Sequence, residues 1–397
     1  MLPPVARLQG GAANYSVLRE VSPARDSCRS VARGRIRTVA DSLVVGCVGT
    51  SDWPKSAEVT LTVTVRLKFR QVRDVGEPNM DVLNRIVVGV AMPEAQPWDA
   101  AGLDPATRIA VRRAFQLADS LRIPVHMMTV LAEPESGRFR SEPDAQRCAV
   151  TDKEGAERVL AALKAEYECL SVETKAEIVF GRAWFEILRA AEASRKTLTI
   201  CGTRNSGTVS RLLFGSTGLK LLRHAPGPVW LVKPRTDDDA VLNVLAATDL
   251  SEVGEDVIGA GVTLGRALSV QLTVMHVVDS DADRRIARTG ASEEEIARWR
   301  AEARNDAEEQ LHDQLAATGY RSLQKGVHTQ LAEGVADACL LSAIEELHVD
   351  MLIMASAGRG GIPGMLFGNT AERLLPVLPC SLLTVKPADF VCPVDVR

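Results

Sequence analysis

The stretch TLTICGTRNSGTVSRLLFGSTGLKLLRHAPGPVWLVKP occupies residues 197–234, and DMLIMASAGRGGIPGMLFGNTAERLLPVLPCSLLTVKP occupies residues 350–387. The two stretches align without a gap, and twelve of the 38 positions are identical. The openings of the two halves also correspond, since IVVGVAMPE at 86–94 aligns with VLAATDLSE at 244–252. The main body of the chain is therefore a tandem repeat of about 150 residues per half.

Each half alternates short apolar runs with segments of helical pattern. The apolar runs of the first half are RIVVGV, VHMMTVL, KAEIVF, LTIC and VWLV. Those of the second half are NVLAAT, VQLTVMHVV, a run near 326–332, MLIMAS and SLLTV. Ser292, with Glu295 three residues later, opens a long charged segment with a capping-box pattern, which predicts a helix. Continuous apolar strands separated by helices indicate an α/β fold with a parallel sheet covered on both faces.

Domain boundaries follow from the repeat and from a linker. KPRTDDDAV at 233–241 is a proline followed by an acidic run, which is typical of a linker. We therefore predict a first domain at 80–236 and a second domain at 241–390.

Residues 1–79 repeat nothing, and we interpret them as a mis-set start or a poorly patterned N-terminal extension, with Met80 opening the first strand. An organelle transit peptide is the alternative, because this segment is rich in Arg and poor in acidic residues.

Composition narrows the classes of function. The first 79 residues carry 12 Lys/Arg against 7 Asp/Glu, and the rest of the chain carries 35 against 44, so the acidic body disfavours nucleic-acid binding. No apolar run reaches the roughly 18 residues of a membrane span.

The eight cysteines form no CxxC pair, which favours a reducing compartment, and we expect a cytoplasmic protein. The six histidines show no ligand spacing and no nucleophile elbow occurs, so we predict neither metal ligands nor catalytic residues.

Both quoted stretches run from an apolar strand through a glycine-rich loop into a helix start. A helix N-terminus presents free N–H groups, and glycines let a phosphate approach the backbone. The candidate residues are small or carry a hydroxyl or amide group: Gly202, Gly215 and Ser216 in the first half, and Gly358, Gly360, Gly361, Gly368 and Asn369 in the second. The alternative is a tight strand-to-helix connection in which glycine supplies a positive φ. The missing Lys excludes a Walker loop, and the position after the fourth strand excludes a dinucleotide fingerprint.

With these motifs the chain resembles a tandem universal stress protein of the two-domain E type. The signature of that family is G-x2-G-x9-G-[ST] after the fourth strand, with an Asp just after the first strand. The resemblance covers essentially all of 80–397 and is most specific in LLRHAPGPVWLVKP and LFGNTAERLLPVLPCSLLTVKPADF. It implies two five-stranded sheets of strand order 3-2-1-4-5. In nucleotide-binding members, the Asp contacts the nucleoside, and the glycines and the following hydroxyl hold the phosphates.

Carried over residue by residue, the signature is incomplete in both halves. The first half keeps three positions and replaces two: Gly202, Gly215 and Ser216 are kept, Asn205 stands for the second glycine, and Ala91 stands for the Asp. The second half keeps Asp249, Gly358 and Gly368, with Ala355 at the first glycine and Asn369 at the hydroxyl position. Because Asp249 and the GRGG loop are both present, we expect the second half to be the better nucleotide site. For Asp249, the alternative is a cap of the turn or helix before LSE.

The resemblance implies a stress-response regulatory protein that acts by ligand binding and protein contacts, without a defined catalytic reaction. One alternative is an ATP-binding switch that uses Mg²⁺ and hydrolyses ATP slowly in the second half, and another is a carrier of a different small or apolar ligand. We expect a small-molecule ligand, and neither nucleic acid nor a membrane as a partner. VWLV and SLLTV would be apolar edge strands unless covered, so we expect them to pair across a pseudo-two-fold axis, giving a monomeric pseudo-dimer; a homodimer is the other arrangement.

Overall fold

The computed structural model describes most of the two repeated halves. The described ranges are 83–133, 142–192, 194–203, 214–235, 241–279, 291–356 and 367–394, with backbone only at 142–147. The predicted extension at 1–79 and the predicted site residues Gly358, Gly360 and Gly361 lie outside these ranges, as does Asn205. All the described residues belong to one compact unit, Glu77–Arg397.

The first half alternates strands and helices in the predicted order. Its elements are β1 (Arg85–Gly89), α1 (Pro105–Leu121), β2 (Val125–Leu131), α2 (Glu142–Glu166), β3 (Thr174–Phe180), α3 (Ala183–Glu192), β4 (Thr197–Gly202), α4 (Ser216–His224) and β5 (Val229–Val232). The strands coincide with the five apolar runs to within one residue at either end. The periodicity of the sequence therefore fixes these elements.

The second half repeats the same order, which confirms the tandem repeat. Its elements are β6 (Leu242–Thr248), α5 (Glu252–Ala267), β7 (Val270–Asp279), α6 (Glu293–Ala317), β8 (Val327–Gly334), α7 (Ala336–Glu346), β9 (Met351–Ala355), α8 (Asn369–Leu374) and β10 (Ser381–Val385). The predicted capping box opens α6. The Ser292 hydroxyl accepts a bond from the Glu295 N–H at 3.2 Å, and the Glu295 carboxylate accepts one from the Ser292 N–H at 2.8 Å.

All ten strands form one sheet of order β3-β2-β1-β4-β5-β10-β9-β6-β7-β8. The order within each half is 3-2-1-4-5, and the pairs within a half are parallel, as expected from the resemblance. The two halves meet at an antiparallel seam between β5 and β10, where Leu382 pairs with Leu231 and Leu383 with Trp230. Every residue of these two strands is buried, so each strand covers the apolar edge of the other.

Helices cover both faces of this sheet and form two hydrophobic cores. One core lies under α1, α2, α5 and α6, and the other under α3, α4, α7 and α8. Strand residues alternate between the cores, since Trp230 and Val232 face the first while Val229 and Leu231 face the second. None of the described helices is both long and apolar enough to cross a membrane.

Replacing Leu383 by Ala should lower the free energy of unfolding by about 2–5 kcal/mol, because truncating a fully buried Leu leaves a cavity. Leu383 is 0% exposed in the seam. Leu347→Ala is the matched control, since Leu347 is 39% exposed, and it should change that free energy by at most about 0.5 kcal/mol. Urea unfolding followed by circular dichroism measures both changes. Equal effects would contradict a packed seam.

Candidate functional site

The candidate site lies at the carboxyl ends of the strands where the strand order reverses. In the first half this point lies between β1 and β4, where Gly89 is in register with Cys201. In the second half it lies between β6 and β9, where Ala247 is in register with Met354. Ligands of open α/β sheets bind in the crevices at such points. The predicted residues after the first and fourth strands of each half therefore lie at one edge of the sheet.

Asp249 follows β6 directly and shapes the turn into α5. Its Oδ1 accepts hydrogen bonds from the N–H and the hydroxyl of Ser251, the first at 3.0 Å. Ser251 is the N-cap of α5, and its Oγ accepts a bond from the Gly254 N–H at 3.2 Å. Leu250, between the two, takes a left-handed conformation with φ 62°. The hydrogen bonds thus give Asp249 the capping role that the sequence offered as the alternative to a nucleoside contact.

Gly254 is a residue of this turn that sequence reasoning missed. A Cβ at position 254 would lie 2.4 Å from Thr248 Oγ1 and 3.0 Å from Asp249 Oδ1, closer than real Cβ atoms come. Glycine therefore lets the first turn of α5 contact the end of β6. The available signal was a glycine three residues after the N-cap serine, but its packing partner could not be read from the sequence.

Gly202, at the end of β4, contacts the first turn of α1. A Cβ there would lie 2.6 Å from the backbone nitrogen of Thr107 and 2.7 Å from the carbonyl carbon of Ala106. Its φ is not in the positive range, and neither is that of Gly215 or Gly368. Positive φ therefore does not explain these three glycines. For Gly202 the reason is close packing of a strand end against helix backbone.

Gly215 and Ser216 form an open helix start in the first half. Gly215 is the N-cap of α4, with φ −60° and ψ 163°, and a Cβ there would meet nothing within 4 Å. Both residues are exposed, the N-cap glycine has no side chain with which to cap the helix, and the first turn contains no acidic residue. The N–H groups of this turn are thus directed toward the loop side with their partial positive charge.

The helix start of the second half is built differently. Gly368 is the N-cap of α8, and its N–H already donates to the carbonyl of Ser356 at 2.7 Å. Asn369 is exposed at the first helical position, and Glu372 places a carboxylate in the first turn. The helix spans only six residues. At the helix starts, the geometry is therefore more favourable for an anion in the first half, whereas the Asp of the signature stands in the second.

Two buried hydroxyls mark the ends of the fourth strands. Thr203 and Ser356 occupy equivalent positions and are 4% and 1% exposed. Each backbone N–H bonds to the neighbouring last strand, Thr203 to Val232 O at 2.8 Å and Ser356 to Val385 O at 2.9 Å. Neither side-chain oxygen has a hydrogen-bond partner among the described residues. Such a group is costly to bury, so both sites offer a polar anchor at the crevice. Sequence reasoning missed both hydroxyls.

Metal-binding side chains do not converge in the described ranges, where no group of three or more His, Cys, Asp or Glu residues could hold an ion.

The fold and its strand-end crevices define a tandem pair of doubly wound α/β domains. The model of the Universal stress protein family matches the chain twice, at residues 99–233 and 241–386. The chain belongs to the universal stress protein family and carries two of its domains in tandem, as the sequence motifs predicted. This membership supports a role in the stress response.

The relatives that resemble this chain in sequence are also universal stress proteins. Universal stress protein E of Salmonella typhi is 25% identical over 308 residues, which cover 73% of this chain and 92% of the relative. A universal stress protein of Mycolicibacterium smegmatis is 27% identical over 237 residues, which cover 59% of this chain and 75% of the relative. The crystal structure of a universal stress protein from Pseudomonas aeruginosa matches with a TM-score of 0.54 at 20% identity, covering 78% of this chain and 95% of that one. At this identity the structural match supports the fold alone.

Replacing Gly202 by Val should lower the free energy of unfolding by about 1–3 kcal/mol, because the new side chain would overlap the backbone of Ala106 and Thr107. Gly215→Ser is the control, since position 215 is open and serine is a good N-cap. Thermal unfolding of the two variants checks this difference. A Gly202→Val protein with the wild-type midpoint would show that α1 does not pack closely on β4.

Proposed function

We propose that this chain is a stress-response regulatory protein that acts by binding a small ligand and by protein contacts, without a catalytic reaction of its own. Its membership of the universal stress protein family supports the stress role. We place it in the cytoplasm and propose that it works as a monomer whose two halves form a pseudo-dimer. The antiparallel β5–β10 seam supports the last point, because it covers within one chain the edges that two separate domains would otherwise expose.

The open start of α4 is the observation that carries the ligand proposal. As the N-cap, Gly215 offers no side chain of its own to the first-turn N–H groups, and no acidic residue stands in that turn. An anionic group such as a phosphate is the natural ligand of such a helix start. The buried hydroxyl of Thr203, at the end of the adjoining strand, supplies a further polar contact.

An ATP-binding switch in the second half, with slow hydrolysis and Mg²⁺, is the second candidate. Asp249 and Ser356 favour it, because each lies two residues beyond the paired Ala247 and Met354 and so at the same edge. Asp249 would contact the nucleoside, Asn369 would approach the phosphates, and Mg²⁺ would neutralise phosphate charge. The bonds from Ser251 already hold the Asp249 carboxylate, which makes it a binding group rather than a general base.

Calorimetric titration of the full chain with Mg²⁺ and ATP, together with a phosphate-release assay, tests both candidates. Gly215→Asp should weaken binding at α4 about tenfold or more, because its carboxylate repels an anion at the same N–H groups. The fold should survive this change, since position 215 is open and Asp is a good N-cap. Gly215→Ser, without the charge, is the matched control and should bind more tightly than Gly215→Asp.

The same titration with Asp249→Asn reports on the second half. Asn keeps the oxygen that accepts from Ser251, so a loss of affinity would reflect the missing charge and not a broken turn. Binding without phosphate release supports the regulatory proposal, while turnover that Asp249→Asn abolishes supports the switch. If ATP, ADP and inorganic phosphate all fail to bind up to about 1 mM, anion binding at α4 is wrong.

A further inference from the structure

Two lysines at equivalent positions are almost completely buried at the seam between the halves. Lys233 follows β5 and is 3% exposed, and Lys386 follows β10 and is 2% exposed. Lys is among the residues least often buried, because an ammonium group loses its hydration in the interior. The proposed ligand site uses neither lysine, so their position needs its own explanation.

Each ammonium group reaches across the seam to a backbone carbonyl of the opposite half, in the last turn of α4 for Lys386 and in the segment after α8 for Lys233. Lys233 Nζ donates to the carbonyl of Leu378, in the segment that follows α8. Lys386 Nζ donates to the carbonyl of Leu222, and that of Arg223 lies 3.5 Å away, both in the last turn of α4. Carbonyls at a helix end lack intrahelical partners and carry partial negative charge. The exchange is therefore reciprocal, and each half supplies the donor for the other.

Each lysine also lies over an aromatic ring of its own half. Lys233 Nζ is 4.8 Å from the centre of the Phe214 ring. Lys386 Nζ is 5.8 Å from that of Phe367 and 4.4 Å from that of Phe390. Phe214 and Phe367 directly precede the N-cap glycines of α4 and α8. Lys386 therefore connects the start of α8 to the end of α4, and Lys233 connects the start of α4 to the segment that follows α8.

The titratable groups that interact with Lys386 include the Cys392 thiol, which Glu192 also influences, and His224. Burial raises the pKa of the Cys392 thiol, which interacts with this lysine. His224 lies in the last turn of α4 beside Arg223 and Lys220, and its pKa is lowered by burial and then by the charge of Lys386. Burial is the main reason why the charged form of Lys386 is disfavoured, and the Cys392 thiol acts in the opposite direction.

The thiol of Cys380 faces Lys233. Burial raises the pKa of Cys380 to about 12, so the thiol is neutral near physiological pH. Asp350 interacts with the same thiol and forms an ion pair with Arg235 at 3.0 Å. The charge of Lys233 is therefore met chiefly by the Leu378 carbonyl and the Phe214 ring.

Desolvation governs the protonation of both lysines. Burial lowers the pKa of Lys386 to about 7 and that of Lys233 to about 8, from an ordinary value of 10.5. The helix-end carbonyls and the ring faces favour the charged form and limit this shift. A neutral amine retains N–H donors, so the hydrogen bonds to the carbonyls persist after deprotonation. The free-energy cost of burying a charge, in contrast, disappears.

We infer that Lys233 and Lys386 make the β5–β10 seam a proton-sensitive joint, which closes firmly when both side chains are neutral and loosens when they are charged. In an opened seam the lysines are hydrated and hold their protons up to about pH 10. The open state therefore binds protons more tightly than the closed state between about pH 10 and pH 7. Lowering the pH through this range shifts the equilibrium toward opening, and below both lowered values the effect levels off.

Titration of the wild-type full chain by NMR, with ¹³C at the ε carbons of lysine, tests the joint without any mutation. Two lysine signals should titrate well below pH 10, and Lys233→Arg and Lys386→Arg should each remove one of them. If all lysine signals titrate near about pH 10.4, as in a model peptide, the joint does not exist.

Hydrogen exchange measured from about pH 9 to pH 7, corrected for the intrinsic rate, tests the opening itself. In the wild type, the protection of peptides from β5, β10 and the last turn of α4 should fall about tenfold or more over this range. Peptides from β2, far from the seam, are the internal control and should change less.

Substitutions at Lys233 and Lys386 separate the effect of the lysine charges from the effect of side-chain packing at the seam. In Lys233→Met/Lys386→Met, protection at the seam should be similar at the two pH values, because Met is apolar and carries no titratable group. In Lys233→Arg/Lys386→Arg, protection should stay low at both, because Arg remains charged. A pH dependence of the Met protein equal to that of the wild type would overturn the inference.

Discussion

The antiparallel pairing of β5 with β10 is the contact on which the rest of this structure depends. A five-stranded parallel half has an apolar last strand, and an uncovered strand of this kind would expose both its backbone groups and its side chains. Pairing VWLV with SLLTV buries every residue of both strands and joins two sheets into one of ten strands. It also relates the halves by an approximate two-fold axis. The two cores lie on the two faces of the joined sheet and each contains residues of both halves, while the equivalent lysines reflect the sequence repeat.

The two halves share their architecture and differ at the ends of the strands. In the first half, glycine lies on the strand, where Gly202 contacts the backbone of α1. In the second half, Ala355 ends the strand, and Gly254 is the small residue on the helix. The core positions cannot vary so freely, because their volume and period are set by packing between two layers. The halves therefore share their strand order and differ at the strand ends, where ligands of open α/β sheets bind.

Membership of the universal stress protein family and the geometry of the crevices support the same conclusion about function. The open start of α4 offers N–H groups to an anion, while Asp249 in the other half is engaged by Ser251. We propose that both features serve binding, since neither of them pairs a nucleophile with a base. Phe214 and Phe367 lie directly before the N-caps, and their rings lie 4.8 and 5.8 Å from the ammonium groups of the two seam lysines.

The repeat, the α/β class, the strand limits to within about two residues and the capping box of α6 could be predicted from the residues alone, and the strand order could be predicted through the family resemblance. These features depend on the local periodicity of apolar residues and on short motifs, both of which involve residues close together in the sequence. The tertiary structure was needed to show why position 202 requires glycine, which groups bond to Asp249, and which carbonyls accept from the Lys233 and Lys386 ammonium groups. The partners of these side chains lie in other segments of the chain, and for the lysines in the other half. Contacts across such distances are set by packing, which a pattern of single residues does not encode.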